Sequence, residues 1–120
     1  MLRTMLLSKI HRATVTFRDL NYVGSITIDK KLLAASGMKA DEKVEIYNIS
    51  NGNRFTTYIM EGEAGSGVIG LNGAAARLVS IGDKIIIVNY AQMDEEEIKN
   101  HKAKIIVVED EINCNFFEVK

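Results

Sequence analysis

The chain has 120 residues, 47% hydrophobic and 26% charged, a size and balance that fit one domain with one modest core and exclude both disorder and a membrane-spanning composition. A formal net charge of -1, with Lys and Arg scattered, lacks the electrostatic footprint of a nucleic-acid binder. The single cysteine, Cys114, excludes an intrachain disulfide and reads as a small packed hydrophobe, and Met1 to Leu7 is too short and too interrupted by Arg3 for a signal h-region, so the cytoplasm is the expected compartment.

Strand periodicity dominates. Lys9, His11, Ala13 and Val15 alternate with Ile10, Arg12, Thr14 and Thr16, which puts Lys9 and His11 on one face of an N-terminal strand. Asp29 is an N-cap for a short helix over Lys30 to Ser36, and Gly37 is its natural stop. Val44 to Ile49 and Arg54 to Ile59 flank Asn51-Gly52, which predicts a hairpin with a type I′ turn and places Arg54, Thr57 and Tyr58 on the return strand. Val68 to Leu71 reads as a strand, Gly73 to Leu78 as a helical turn or two, and Lys84 to Val88 as a strand covered on both faces; Lys104 to Val108 repeats that pattern. Between these last two, Asp94-Glu95-Glu96-Glu97-Ile98 opens a solvated acidic helix. A faint repeat sets Lys43 to Asn48 against Lys84 to Asn89 and Ala34-Ala35 against Ala75-Ala76, which fits a pseudo-two-fold small mixed barrel.

Within Leu20-Asn21-Tyr22-Val23-Gly24-Ser25 lies a bond at which a chain can cut itself. Glycine leaves the acyl carbonyl open and permits unusual backbone angles. Ser25 Oγ can attack the Gly24 carbonyl carbon, exchanging the amide for an ester. β-Elimination then frees Gly24 as a carboxylate, and hydrolysis of the remaining dehydroalanine leaves a pyruvoyl ketone able to form a Schiff base with an amine. Taken alone, Gly-Ser is more often a plain turn.

Its company is Lys9-Ile10-His11-Arg12 before it, then Asn51-Gly52-Asn53-Arg54-Phe55-Thr56-Thr57-Tyr58, then Asn72-Gly73-Ala74-Ala75-Ala76. In that order and spacing these segments resemble the bacterial aspartate 1-decarboxylases, pyruvoyl enzymes that make β-alanine, from Arg3-Thr4-Met5 to about Asp94; the tail beyond, Glu109 to Lys120 included, has no counterpart in the resemblance. The resemblance implies a six-stranded double-psi β-barrel assembled as a homotetramer with sites between subunits. It also implies self-cleavage into 1–24 and 25–120, no metal, and aspartate as substrate in a route to pantothenate; a maturation helper is left open.

In that family the counterpart of Tyr58 is the proton donor, and the family pattern gives Thr57 a role in processing by stabilising the oxyanion at Gly24. Strict alternation puts Thr57 and Tyr58 on opposite faces, so both reach one pyruvoyl only through a bulge or at a subunit boundary. Arg54, aided by Lys9, is expected to hold the side-chain carboxylate, because a cation on the departing carboxylate would stabilise the ground state more than the transition state. Thr57, Asn72 and the Gly73, Ala74 and Ala75 backbone complete the expected substrate contacts. His11 is read as structural or as a local hydrogen-bond partner. Two rival functions remain at this stage: a pyruvoyl decarboxylase of another amino acid, and a non-catalytic small barrel used for assembly or binding, with balanced charge counting against DNA.

Overall fold

A computed structural model describes residues 1–120. Strand β1 (Arg3–Thr14) buries Ser8 and Ile10 on one side and leaves Lys9 and His11 half-buried on the other, as the alternation predicts. The alternation breaks at Arg12, whose φ of 65° lies within a register shift between His11 and Ala13. Ala13, Thr14 and Val15 are then buried in succession.

After β2 (Phe17–Asp19) and β3 (Ser25–Asp29), helix α1 (Lys30–Ser36) begins and ends where its caps put it. Asp29 Oδ1 accepts from the Lys31 N–H at 2.8 Å, and Gly37, at φ 81°, donates its N–H to Leu33 O. The buried Asp29 carboxylate also accepts from the N–H groups of Gly65 at 3.0 Å and Gly67 at 2.8 Å, so one side chain fixes both a helix start and a distant loop.

The hairpin of β4 (Lys43–Asn48) and β5 (Arg54–Gly62) forms, but not with the predicted turn. Of Asn51 and Gly52 only Gly52 has positive φ, 82°, so the turn is not type I′. Five residues, Ile49 to Asn53, make the loop, because Asn48 Oδ1 accepts from the N–H groups of Ser50 at 2.9 Å and Asn51 at 3.3 Å and starts the reversal early. The pairing is displaced with it: Tyr47, not Ile49, stands opposite Arg54.

β6 (Ile69–Asn72) leads into a 3₁₀ helix (Gly73–Leu78), then β7 (Lys84–Met93), helix α2 (Glu95–Lys99), β8 (Lys104–Val108) and β9 (Phe116–Val119). β7 runs five residues past its predicted end, and its both-face cover is partial: Ile85 and Ile87 are buried whereas Ile86 is half-buried outside. The acidic helix is solvated, with Asp94 and Glu97 forming a reciprocal capping box.

The strand order is β2-β6-β3-β5-β4-β7-β1-β8-β9. This sheet curls shut where the chain passes from β1 to β2: Val15 N–H donates to Asp83 O and Thr16 N–H to Ile69 O, both at 2.9 Å. The result is a small, mainly β barrel around a core of 18 buried residues, as expected. Ile46 faces Ile87 in the β4–β7 ladder and Ile28 faces Ile69 in the β3–β6 ladder, equivalent positions under the faint repeat, as a two-fold axis through both ladders would place them. The tail adds to the six-stranded expectation, with β8 parallel to β1 and β9 antiparallel to β8. Buried Asn113 ties the tail back by bonding both backbone groups of Thr14 and Gly67 O. The neighbouring turn, held by Asp110, leaves Cys114 exposed rather than packed. No helix is long and apolar enough to cross a membrane.

Candidate active site

Ser25 opens β3 directly opposite Asn72 at the end of β6, and is fully buried. The Asn72 carboxamide uses both of its N–H bonds on that face: Nδ2 donates to Ser25 Oγ at 3.0 Å and to Thr27 Oγ1 at 3.1 Å. Asn72 also stands at the N-cap of the 3₁₀ helix, and with its amide turned to Ser25 it supplies no side-chain cap. Arg18 pins the far end of that helix, Nη1 donating to Ala76 O at 3.2 Å and Val79 O at 2.9 Å.

Gly73 carries the tightest steric constraint at the site. Its φ is +68°, and a Cβ there would lie 2.7 Å from Gly24 Cα, 2.9 Å from Gly24 N and 3.1 Å from Tyr22 O. Position 73 therefore requires glycine on two grounds, backbone angle and room. Gly24 differs: it has no positive φ, and a Cβ there would meet only Asn72 O at 3.7 Å. Its conformational freedom is thus not in use here, which leaves the open acyl carbonyl as its contribution. Small-ligand clefts run from about 300 to about 1,000 Å³; the cavity beside Ser25 is about 430 Å³ and is lined by Phe17, Asp19, Tyr22, Thr27, Val68 and Asn72.

β5 lies parallel to β3 with Ile26 paired to Ile59, both fully buried, so Ser25 and Tyr58, one residue earlier on each strand, share the opposite face. Tyr58 is 39% exposed. The β4–β5 ladder runs without a shift from Lys43–Tyr58 to Tyr47–Arg54, so no bulge rescues the alternation. Thr57 faces the side of Phe55 and Ile59, away from Ser25 of its own chain.

Arg54 opens β5, roughly 13 Å along the strand from Tyr58 at the usual strand rise. Its guanidinium carbon lies 4.1 Å from the centre of the Tyr47 ring, toward β4 and away from β3. Reading across the ladders, His11, Ile86, Tyr47 and Arg54 form one row, and Lys9, Val88, Glu45 and Thr56 the next. A 340 Å³ cavity lined by Tyr47, Ile86, Arg54 and the hairpin loop opens there. Burial, reinforced by the charges of Lys9 and Arg12, holds the His11 imidazole below its usual range. Its buried Nδ1 has no hydrogen-bond partner, so the expected local bond is not made at that atom.

The site residues thus fall into two groups, Ser25, Tyr58, Asn72 and Gly73 with the adjoining Ala74 and Ala75, and Lys9 and Arg54 with His11. Thr27, Tyr47 and Tyr90 were not foreseen. The strand period of two would have put Thr27 beside Ser25, whereas the misjudged hairpin loop concealed the Tyr47–Arg54 pair.

Comparison with known proteins bears on both groups. The model of the aspartate decarboxylase family matches residues 1–115, which carries the likeness past Asp94 and through most of the tail. An aspartate 1-decarboxylase of Caldicellulosiruptor bescii is 61% identical over 107 residues, 89% of this chain and 84% of that protein. Those of Bacillus licheniformis and Ralstonia nicotianae are 60% and 56% identical over 110 residues, covering 92% of this chain and 87% and 92% of theirs. Nearly the whole barrel, with the Ser25 and Arg54 groups inside the matched span, is shared, and the chain belongs to the aspartate decarboxylase family.

Proposed function

We propose that the chain cleaves itself between Gly24 and Ser25 and then decarboxylates L-aspartate at its α-carboxylate, giving β-alanine and carbon dioxide and so feeding pantothenate synthesis. The observation that carries this is Ser25 Oγ, fully buried and held by Asn72 Nδ2 at 3.0 Å, with no room for a side chain at Gly73 beside Gly24, in a chain of this family.

Maturation uses the chain's own atoms. An Oγ bond to the Gly24 carbonyl carbon replaces the bond to the Ser25 nitrogen, which takes the hydroxyl proton. Loss of the Ser25 Cα proton with rupture of the Oγ–Cβ bond then releases the Gly24 carboxylate, and water converts the residue to a ketone with loss of ammonia. By accepting from Asn72 rather than donating to it, Ser25 Oγ keeps its own proton free to leave. Thr57, turned from Ser25 in its own copy, is assigned the Gly24 oxyanion by the family resemblance alone.

The residues around Ser25 fit such a group: a buried position, an amide donor at Oγ and an adjoining cavity large enough for a four-carbon substrate. Once formed, the carbonyl supplies an acceptor for the substrate amine and a sink for the electron pair that carbon dioxide leaves behind. Arg54 and Lys9 hold the side-chain carboxylate, the uncapped backbone N–H groups of Gly73, Ala74 and Ala75 orient the substrate, and the Tyr58 hydroxyl returns a proton to the substrate carbon. Arg54 leans toward β4, four residues along β5 from Tyr58. We read the site as shared between subunits of a homotetramer, as the family resemblance implies.

Intact mass and a β-alanine assay test this together. Wild-type protein should give fragments ending and beginning at Gly24 and Ser25, the longer one blocked to N-terminal sequencing. Ser25→Ala should stay whole and inactive; a Ser25→Ala chain that still splits there would remove the mechanism.

A further inference from the structure

Arg54 is exposed, and an exposed arginine is ordinarily a mobile cation that loses rotamer freedom when it grips a ligand. Here it is not free. Tyr47 stands directly opposite on β4, and the guanidinium lies over the face of its ring at 4.1 Å. The ring is fixed in turn at its far end, where the Tyr47 hydroxyl meets the Tyr90 hydroxyl at 2.9 Å and donates to Glu45 Oε2 at 3.4 Å. The bond with Tyr90, followed by burial and the nearby charges, pushes the Tyr47 phenol up to about 12, so it stays a neutral hydroxyl throughout the physiological range. Glu45 is engaged there and forms no ion pair with Arg54, nor does any other carboxylate of the chain. The ring lies against one side of the guanidinium, and the N–H groups of Arg54 are left without a partner in the chain.

We propose that Tyr47, anchored by Tyr90, is a positioning residue that presents Arg54 edge-on to a carboxylate and thereby sets the preference for a dicarboxylic amino acid. This rests on the assignment of Arg54 to the substrate's side-chain carboxylate. Tyr47 itself need not touch the substrate.

The test uses matured enzyme, L-aspartate as substrate and succinate, a dicarboxylate without an amine, as competitive probe. Tyr47→Leu should raise KM for aspartate and Ki for succinate about three- to tenfold, the usual worth of a cation–π contact, with kcat within about twofold. Cleavage at Gly24 should be normal. Tyr90→Phe, which loosens the ring but keeps it, should give a smaller rise of about twofold in the same direction. Tyr47→Trp should restore KM and Ki to wild-type values or below, which a merely structural role for Tyr47 would not produce; a rise of more than threefold in this variant would overturn the proposal even if Tyr47→Leu fails to fold. In an Arg54→Met background, Tyr47→Leu should add nothing. If Arg54→Met raises KM and Ki while Tyr47→Leu leaves both unchanged, Tyr47 has no positioning role although Arg54 keeps its assignment. If Arg54→Met itself changes neither, the assignment of Arg54 is wrong and the proposal falls with it.

Discussion

The two groups of site residues are built in opposite ways. Around Ser25 the backbone itself is constrained: the serine is fully buried, its hydroxyl has a fixed donor, and glycine at 73 is required by both angle and space. Around Arg54 the strands are regular and the cation is held only by an aromatic face, with His11 half-buried in its own row and Lys9 half-buried in the next. The difference follows from the tasks. Self-cleavage needs atoms of one chain brought within bonding reach before any ligand arrives, so it is bound to burial and close packing. Holding a substrate carboxylate needs unpaired N–H groups facing outward, which an isolated copy leaves open and an adjoining copy can close over.

Perturbing the constrained group should have the largest effects. Gly73→Ala forces a Cβ to 2.7 Å from Gly24 Cα at a left-handed backbone angle, so cleavage should be almost abolished, read as intact mass after prolonged incubation. Tyr58→Phe keeps the ring and removes one hydroxyl: cleavage should be normal while β-alanine formed per cleaved chain falls about 10²–10⁴-fold. Thr27→Val removes the acceptor that steadies the second N–H of Asn72, and maturation should slow severalfold with turnover of matured chains little changed. A cleavage rate equal to wild type would show that Ser25 alone orients Asn72.

The smallest effect belongs to the open group. Burial and the charges of Lys9 and Arg12 put the folded His11 below the 6.5 of a free imidazole, so on acidification the unfolded chain takes up the proton first. Stability is therefore complete above pH 6.5 and declines as pH falls below it. His11→Gln should flatten the fall in Tm between pH 7 and pH 5, seen in thermal melts at matched ionic strength.

Regular features were legible in the sequence because each had a local cause. Asp29 and Gly37 set the limits of α1, Asp94 and Glu97 the start of α2, and alternation put Lys9 and His11 on one face. The Gly24-Ser25 bond was legible only as one motif among several in register. What escaped depended on contacts remote in sequence or on side chains overriding a turn preference. Asn48 reversed the chain two residues before Asn51-Gly52 would have, which shifted Tyr47 onto Arg54. Gly73 was legible as the start of a helical turn and a substrate contact but not as a position closed to any side chain, since its closeness to Gly24 exists only after β3 and β6 pair.

Mixed assembly tests most directly whether the two groups belong to different copies. Ser25→Ala spoils the first group and Arg54→Met the second, and each homo-oligomer should be nearly inactive on aspartate. Co-expressed in equal amounts, the two should form hybrids in which roughly one site in four combines an intact Ser25 group with an intact Arg54 group from the neighbour, as random mixing of symmetric oligomers requires. Activity near a quarter of wild type is the predicted result. Hybrids shown by mass to contain both chains, yet no more active than the two parents added together, would place both groups in one copy and contradict the account.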